Sequence, residues 1–163
     1  MGDIMKKLFL PLALLLLPLA TLADDYTGIS VIKPLFGKHF KERNFTRSYN
    51  ENYLDSIGVG YRHESGLGAY AIYVNENSVN NSGWYIHGEY MAEVYSNDNI
   101  NLSVGGALGV RNGYGKKAIN RKDSDFIESG ALQFEGCYSS HCALLMVAPI
   151  TNGVAILNYK YRF

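Results

Sequence analysis

The stretch Val154-Ala-Ile-Leu-Asn-Tyr-Lys-Tyr-Arg-Phe163 decides how the rest of the chain is read. In a strand, successive side chains point to opposite faces, so Ala155, Leu157, Tyr159, Tyr161 and Phe163 share one face. Asn158, Lys160 and Arg162 share the other. An apolar face ending in three aromatics, opposite a face of fixed charges, suits a strand set between lipid and a polar lumen. A soluble sandwich strand carries the same alternation, so the remainder of the chain has to arbitrate.

The opposite end speaks for export. Lys6 and Lys7 precede an apolar run from Leu8 to Ala20, and Thr21-Leu22-Ala23 offers small residues for cleavage. This is the pattern of a secretory signal peptide over 1–23, too short for a spanning helix. The expected mature domain is 24–163. Cysteine is absent directly after the cleavage point, so a lipoprotein anchor is not indicated. The body has 17 Gly and 13 Tyr, with short alternating runs and no helical period. Spans of about 10 residues with this alternation mark an outer-membrane barrel.

Composition narrows the partners. Fifteen basic and fifteen acidic residues balance to zero net charge with no basic stripe, which argues against nucleic acid. Cys137 and Cys142, with four residues between them in an exported and therefore oxidising context, are expected to close a hairpin as a disulfide. His141 between them does not complete a metal site, because two thiols and one imidazole on a tight turn fall short of a closed coordination shell. No metal or cofactor is expected.

Alternation and turn signals predict eight strands, at roughly 28–37, 53–63, 68–77, 83–94, 100–110, 128–137, 142–149 and 154–163. The predicted fold is an all-β, eight-stranded antiparallel transmembrane barrel. Short links at 64–67, 96–99 and 138–141 alternate with mostly longer polar ones at 38–52, 78–82 and 111–126. That phase places the short turns and both termini on the periplasmic side and the long loops outside. The last strand is the one the barrel-assembly machinery would read, and the expected state is a monomer.

The inner faces follow from the same alternation. Gly105, Ala107 and Gly109 of the fifth strand, with Gly58 and Gly60 of the second, line the outer half of the lumen. Arg62, Glu89, Glu93, Glu135, Lys160 and Arg162 gather in the periplasmic half as a paired, charged plug. Eight strands leave space for filling side chains or one small ligand, not for an aqueous pore. Small residues on the inner wall either leave room for an acyl chain or only permit sheet curvature. Both readings stay open.

Several short elements together resemble the lipid A palmitoyltransferase (PagP) family, outer-membrane barrels that move a phospholipid acyl chain onto lipid A. Pro34 and His39 stand five apart, like the family's gate proline and catalytic histidine. Tyr49-Asn50-Glu51, Gly68-Ala-Tyr-Ala71, Pro149 and Asn152-Gly153-Val154 follow in order. The resemblance implies lateral gates at Pro34 and Pro149, since proline donates no ladder hydrogen bond. It also implies that Tyr49, Glu51 and the luminal Gly105, Ala107 and Gly109 contact substrate lipid. The family's Asp-Ser element is altered to Glu76-Asn77-Ser78, and the family's N-terminal amphipathic helix has no counterpart after Asp24.

Acyl transfer needs a base and donors for an oxyanion. His39 is the expected base, Ser78 a nucleophile or polar orienter, and Asn77 an orienter that lacks a carboxylate's charge. Glu76 or Glu51 could supply that charge. Against this stand a solvated loop histidine and an ordinary turn serine, hence an inactive barrel with a structural or surface-interaction role. His63 and His87 read as interfacial or luminal filler, and Trp84 as an aromatic anchor.

Overall fold

The structure is a computed structural model that describes residues 28–39, 55–75, 77, 81–113, 126–148 and 153–163. The expected signal peptide, Tyr49, Glu51, Glu76, Ser78 and Pro149 lie outside them. Eight strands close an antiparallel barrel in sequence order, with β1 (Gly28–His39) also pairing β8 (Val154–Arg162). Between them run β2 (Ile57–Arg62), β3 (Leu67–Val74), β4 (Gly83–Ser96), β5 (Ile100–Arg111), β6 (Ile127–Tyr138) and β7 (His141–Ala148).

Tight connections at 63–66, 97–99 and 139–140 define one end, here the turn end. They are built from residues suited to them. The Asn97 side-chain oxygen accepts the amides of Asn99 and Ile100 at 3.0 and 2.8 Å, an Asx turn. Gly66 adopts φ +81°, and a β-carbon there would strike the Met91 carbonyl. Longer connections define the opposite loop end.

Strand boundaries depart from expectation mainly at that loop end. β1 runs two residues further, to His39, because its ladder with β8 continues to Val154. β2 begins at Ile57; Ser56 before it instead uses its hydroxyl to accept the Asn75 amide at 3.2 Å. β3 ends at Val74, which leaves Asn77 in the connection.

Polarity is inverted relative to a soluble barrel. The outer surface presents Ile29, Val59, Ile86, Leu108, Leu132, Leu145 and Leu157 between aromatics near the strand ends, among them Tyr61, Tyr95, Tyr138 and Phe163 at the turn end and Trp84 at the other. The interior holds buried charge. Arg62, Glu89, Glu135 and Lys160 are all buried, contributed by β2, β4, β6 and β8 in turn. Alternate strands supply them because tilt and stagger set neighbouring strands' inward residues at different heights.

The disulfide joins Cys137 and Cys142, register partners across β6 and β7, with side chains inside the barrel. The loop it closes is short, so the chain-entropy term is about 2 kcal/mol. Reduction is therefore expected to lower stability by no more than this, seen as a small shift of the denaturant midpoint with and without a thiol reductant.

Candidate functional site

The turn-end layer of the lumen is an ion network. Glu135, with its side chain fully buried, accepts from Arg62 Nη1 at 2.6 Å and Lys160 Nζ at 3.1 Å, and also pairs with Arg162. Glu89 accepts from Arg62 Nε at 2.9 Å, with Lys160 Nζ at 3.9 Å. One guanidinium thus bridges two carboxylates, and those carboxylates separate three cations that would otherwise repel. Glu93 turns to Asn101 instead of joining the group. A bulge at Val94 follows it, where Glu93 and Tyr95 oppose Ser103 and Leu102.

Above the network the lumen is crossed by Tyr70. Its hydroxyl lies 3.4 Å from Gln133 Nε2 and 4.0 Å from Met146 Sδ, so one side chain from β3 meets β6 and β7. Toward the loop end the buried interior turns apolar, with Ile32, Ile72, Val74, Tyr85, Ala107, Leu144, Met146, Val154 and Ile156 packed in one cluster.

The inner-wall glycines belong to this packing. Gly58, Gly60, Gly105 and Gly109 are register partners of Ile72, Tyr70, Met91 and His87. A β-carbon on Gly58 would lie 2.6 Å from Ile72 Cγ1, and one on Gly105 would lie 2.6 Å from Met91 Sδ and overlap the Tyr90 carbonyl. The space that each glycine leaves is taken by the side chain across the ladder. Of the two readings left open for Gly105 and Gly109, the contacts favour packing: Met91 and His87 lie in the space beside them. Ala107 is buried within the apolar cluster.

The sheet is incompletely hydrogen-bonded at the same loop-end level. β1–β2 pairing runs from Gly28↔Arg62 to Ile32↔Gly58 and goes no further, although Lys33 and Ile57 come next in register. Among the described residues, β6–β7 pairing runs as far as Leu132↔Val147. Pro34 sits just past the first stop, buried, and β1 there also slips against β8, with Leu35 the extra residue. A residue without an amide hydrogen is where such an interruption costs least.

His39 is the last residue of β1, with its backbone opposite Val154; its side chain lies outside the described residues. Asn77, in the β3–β4 connection at the same end, is almost fully buried. Its amide donates to the Gly113 carbonyl at 2.8 Å, and its side-chain oxygen accepts the Asn81 amide at 3.2 Å. It therefore clasps the β3–β4 connection to the residue following β5.

One polar pair inside the loop-end lumen was not singled out by sequence. His87 Nε2 lies 2.5 Å from the Ser129 hydroxyl. Both residues face inward by alternation, but only the ladder register, unreadable from sequence, puts them in one row.

Models of known protein families and curated proteins give no match to this chain. The arrangement therefore has to be interpreted from its own chemistry: charge sealed at the turn end, an apolar interior at the loop end, and an early end of the β1–β2 ladder beside that interior.

Proposed function

We propose that the chain is an outer-membrane barrel that takes a phospholipid acyl chain sideways into its loop-end lumen and transfers it to an outer-leaflet acceptor such as lipid A. The apolar exterior around a charged interior supports membrane insertion, because in lipid the barrel faces hydrocarbon outward and keeps its charges inside. The observation that carries the acyl-chain reading is the coincidence of an early end of β1–β2 pairing with an apolar lumen at the same level. Lipid cannot satisfy free backbone groups, so interrupted pairing is costly at membrane depth and points to a use. In this reading the end of β1–β2 pairing beside Pro34 admits the chain, and His39 at the end of β1 is the base, with Asn77 at the same end of the barrel and Ser78 and Pro149 kept as candidates from the sequence.

A second reading, an inactive barrel with a structural or surface-interaction role, is favoured by Tyr70, Met91 and His87 filling the space beside the glycines.

Mass spectrometry of lipid A separates the two. Cells expressing the wild type are expected to show lipid A heavier by one acyl chain. His39→Ala, inserted to the same level, is expected to lose at least about 99% of that product, as removal of a general base costs on the order of 10²–10⁴ in rate. No mass gain from a correctly inserted wild type would remove the acyltransferase reading and leave the second.

A further inference from the structure

The row across β3, β4, β5 and β6 at the loop-end side of the plug reads Tyr70, His87, Gly109, Ser129, each the register partner of the next. The missing side chain at Gly109 is what lets the two polar residues meet. A β-carbon there would sit 2.7 Å from His87 Cδ2, so the imidazole lies over the glycine and reaches the serine two strands away. Tyr70 packs against the other side of the ring at a centroid distance of 5.2 Å, and Tyr85 stands edge-on to it at 6.3 Å. The imidazole is held between aromatics on one side and a serine hydroxyl on the other.

Two features set this pair apart from a buried hydrogen bond formed only for packing. His87 Nδ1 is buried and has no hydrogen-bond partner, so one ring nitrogen faces the lumen unsatisfied. Ser129 is half-buried on the inner face of β6, whereas His87 itself is buried. Arg111, the next inward residue along β5 after Gly109, adds a cation at the same end of the lumen.

We infer that Ser129 and His87 are a nucleophile–base pair that accepts an acyl group from an ester lipid, forming an acyl-serine inside the barrel. The inference rests on lateral entry of a lipid chain as proposed above, and it adds a covalent intermediate and a second pair of reacting residues. In the first step Ser129 Oγ bonds to the ester carbonyl carbon as its proton passes to His87 Nε2. The ester C–O bond breaks, and the departing oxygen takes that proton and leaves as an alcohol. In the second step an acceptor hydroxyl gives its proton to Nε2, bonds to the same carbonyl carbon and releases Ser129, which recovers its proton. The resting pair carries its ring proton on Nδ1, leaving Nε2 to accept from the serine. The Arg111 guanidinium supplies charge for the oxyanion of each step.

A long-chain alkyl fluorophosphonate tests this directly, because it reacts with an activated serine and needs no acyl acceptor. The mature barrel, folded in detergent and checked by its heat-modifiable gel mobility, is expected to gain one phosphonyl adduct that peptide mapping places on Ser129. Ser129→Ala is expected to abolish the adduct. His87→Gln, which retains a hydrogen-bonding group but no base, is expected to slow its formation at least 100-fold. A folded wild type that gains no adduct at Ser129 overturns the inference whatever the variants do, and so does an equal rate in a folded His87→Gln barrel. The outcome is separable from that of the lipid A experiment. An adduct without any lipid A mass gain keeps the pair and removes lipid A as acceptor. A mass gain without an adduct keeps acyl transfer and removes the acyl-serine.

Discussion

Glu135→Ala is expected to destabilise the barrel by about 3–5 kcal/mol, the range for removing one partner of a buried ion pair. Its carboxylate sits among Arg62, Lys160 and Arg162, with a fully buried side chain. Deleting it leaves those three cations close together with Glu89 as the neighbouring anion. Their mutual repulsion then acts in a medium that screens it poorly. The expected readout is a large drop in the urea midpoint, followed by fluorescence of Trp84, the one tryptophan of the chain. Glu135→Gln should fall between, since it retains an acceptor without the charge. Combining Glu135→Ala with Lys160→Met should recover part of the loss, because it removes one of the stranded cations. A single-variant cost below about 1 kcal/mol would mean that water reaches these groups and that the network does not seal the turn end.

This network was legible in advance because two simple regularities produce it. Alternation assigned Arg62, Glu89, Glu135, Lys160 and Arg162 to inner faces, and the phase of short and long connections assigned them to one end. Glu93 obeys the same alternation yet pairs with Asn101, and the bulge at Val94 just beyond it puts Tyr95 on the outer face against the count of two. Bulges have no reliable signature in a single sequence, so such a residue is misplaced by any argument from period alone. The glycines show a different limit. That Gly58, Gly60, Gly105 and Gly109 face inward follows from alternation, but what fills the space beside them depends on register. Sliding β4 by two residues against β5 would preserve every face and yet put Glu89, not His87, opposite Gly109.

The candidate site divides along the same line. The unpaired stretch beyond Ile32 has a local cause that sequence displays, Pro34, and the gap at β1–β2 could be expected from it. Asn77 illustrates the converse. Alternation placed it at the end of the third strand, whereas its role as a clasp between two connections rests on Gly113, 36 positions away. Ser129 and His87 are 42 positions apart and belong to strands that do not pair with each other. Neither has a neighbour in sequence that advertises chemistry, so His87 reads as filler until closure of the barrel brings the serine to it.

The second large effect tests the membrane itself. Leu145→Arg, on the outer face midway along β7, is expected to cost about 2–4 kcal/mol in a lipid bilayer, the penalty for a guanidinium at midplane depth. Leu145 lies beside Phe134 and Leu157 in register and belongs to the apolar belt. The new charge would therefore have hydrocarbon on the outside and no lumen to turn into. Asp98→Arg, in the exposed β4–β5 turn beyond the belt, is the matched control and is expected to stay within about 1 kcal/mol of the wild type. Folding each variant into vesicles and comparing urea midpoints gives the difference directly. In a barrel surrounded by water the difference would vanish. Exchanging an exposed leucine for arginine there changes stability by no more than about 0.5 kcal/mol and raises solubility. The Leu145→Arg penalty thus reports on the solvent around the belt, independently of whether any acyl chain enters the lumen. If it is absent, the inverted polarity of the barrel loses its membrane explanation, and the lateral route proposed beside Pro34 loses the bilayer it would open to.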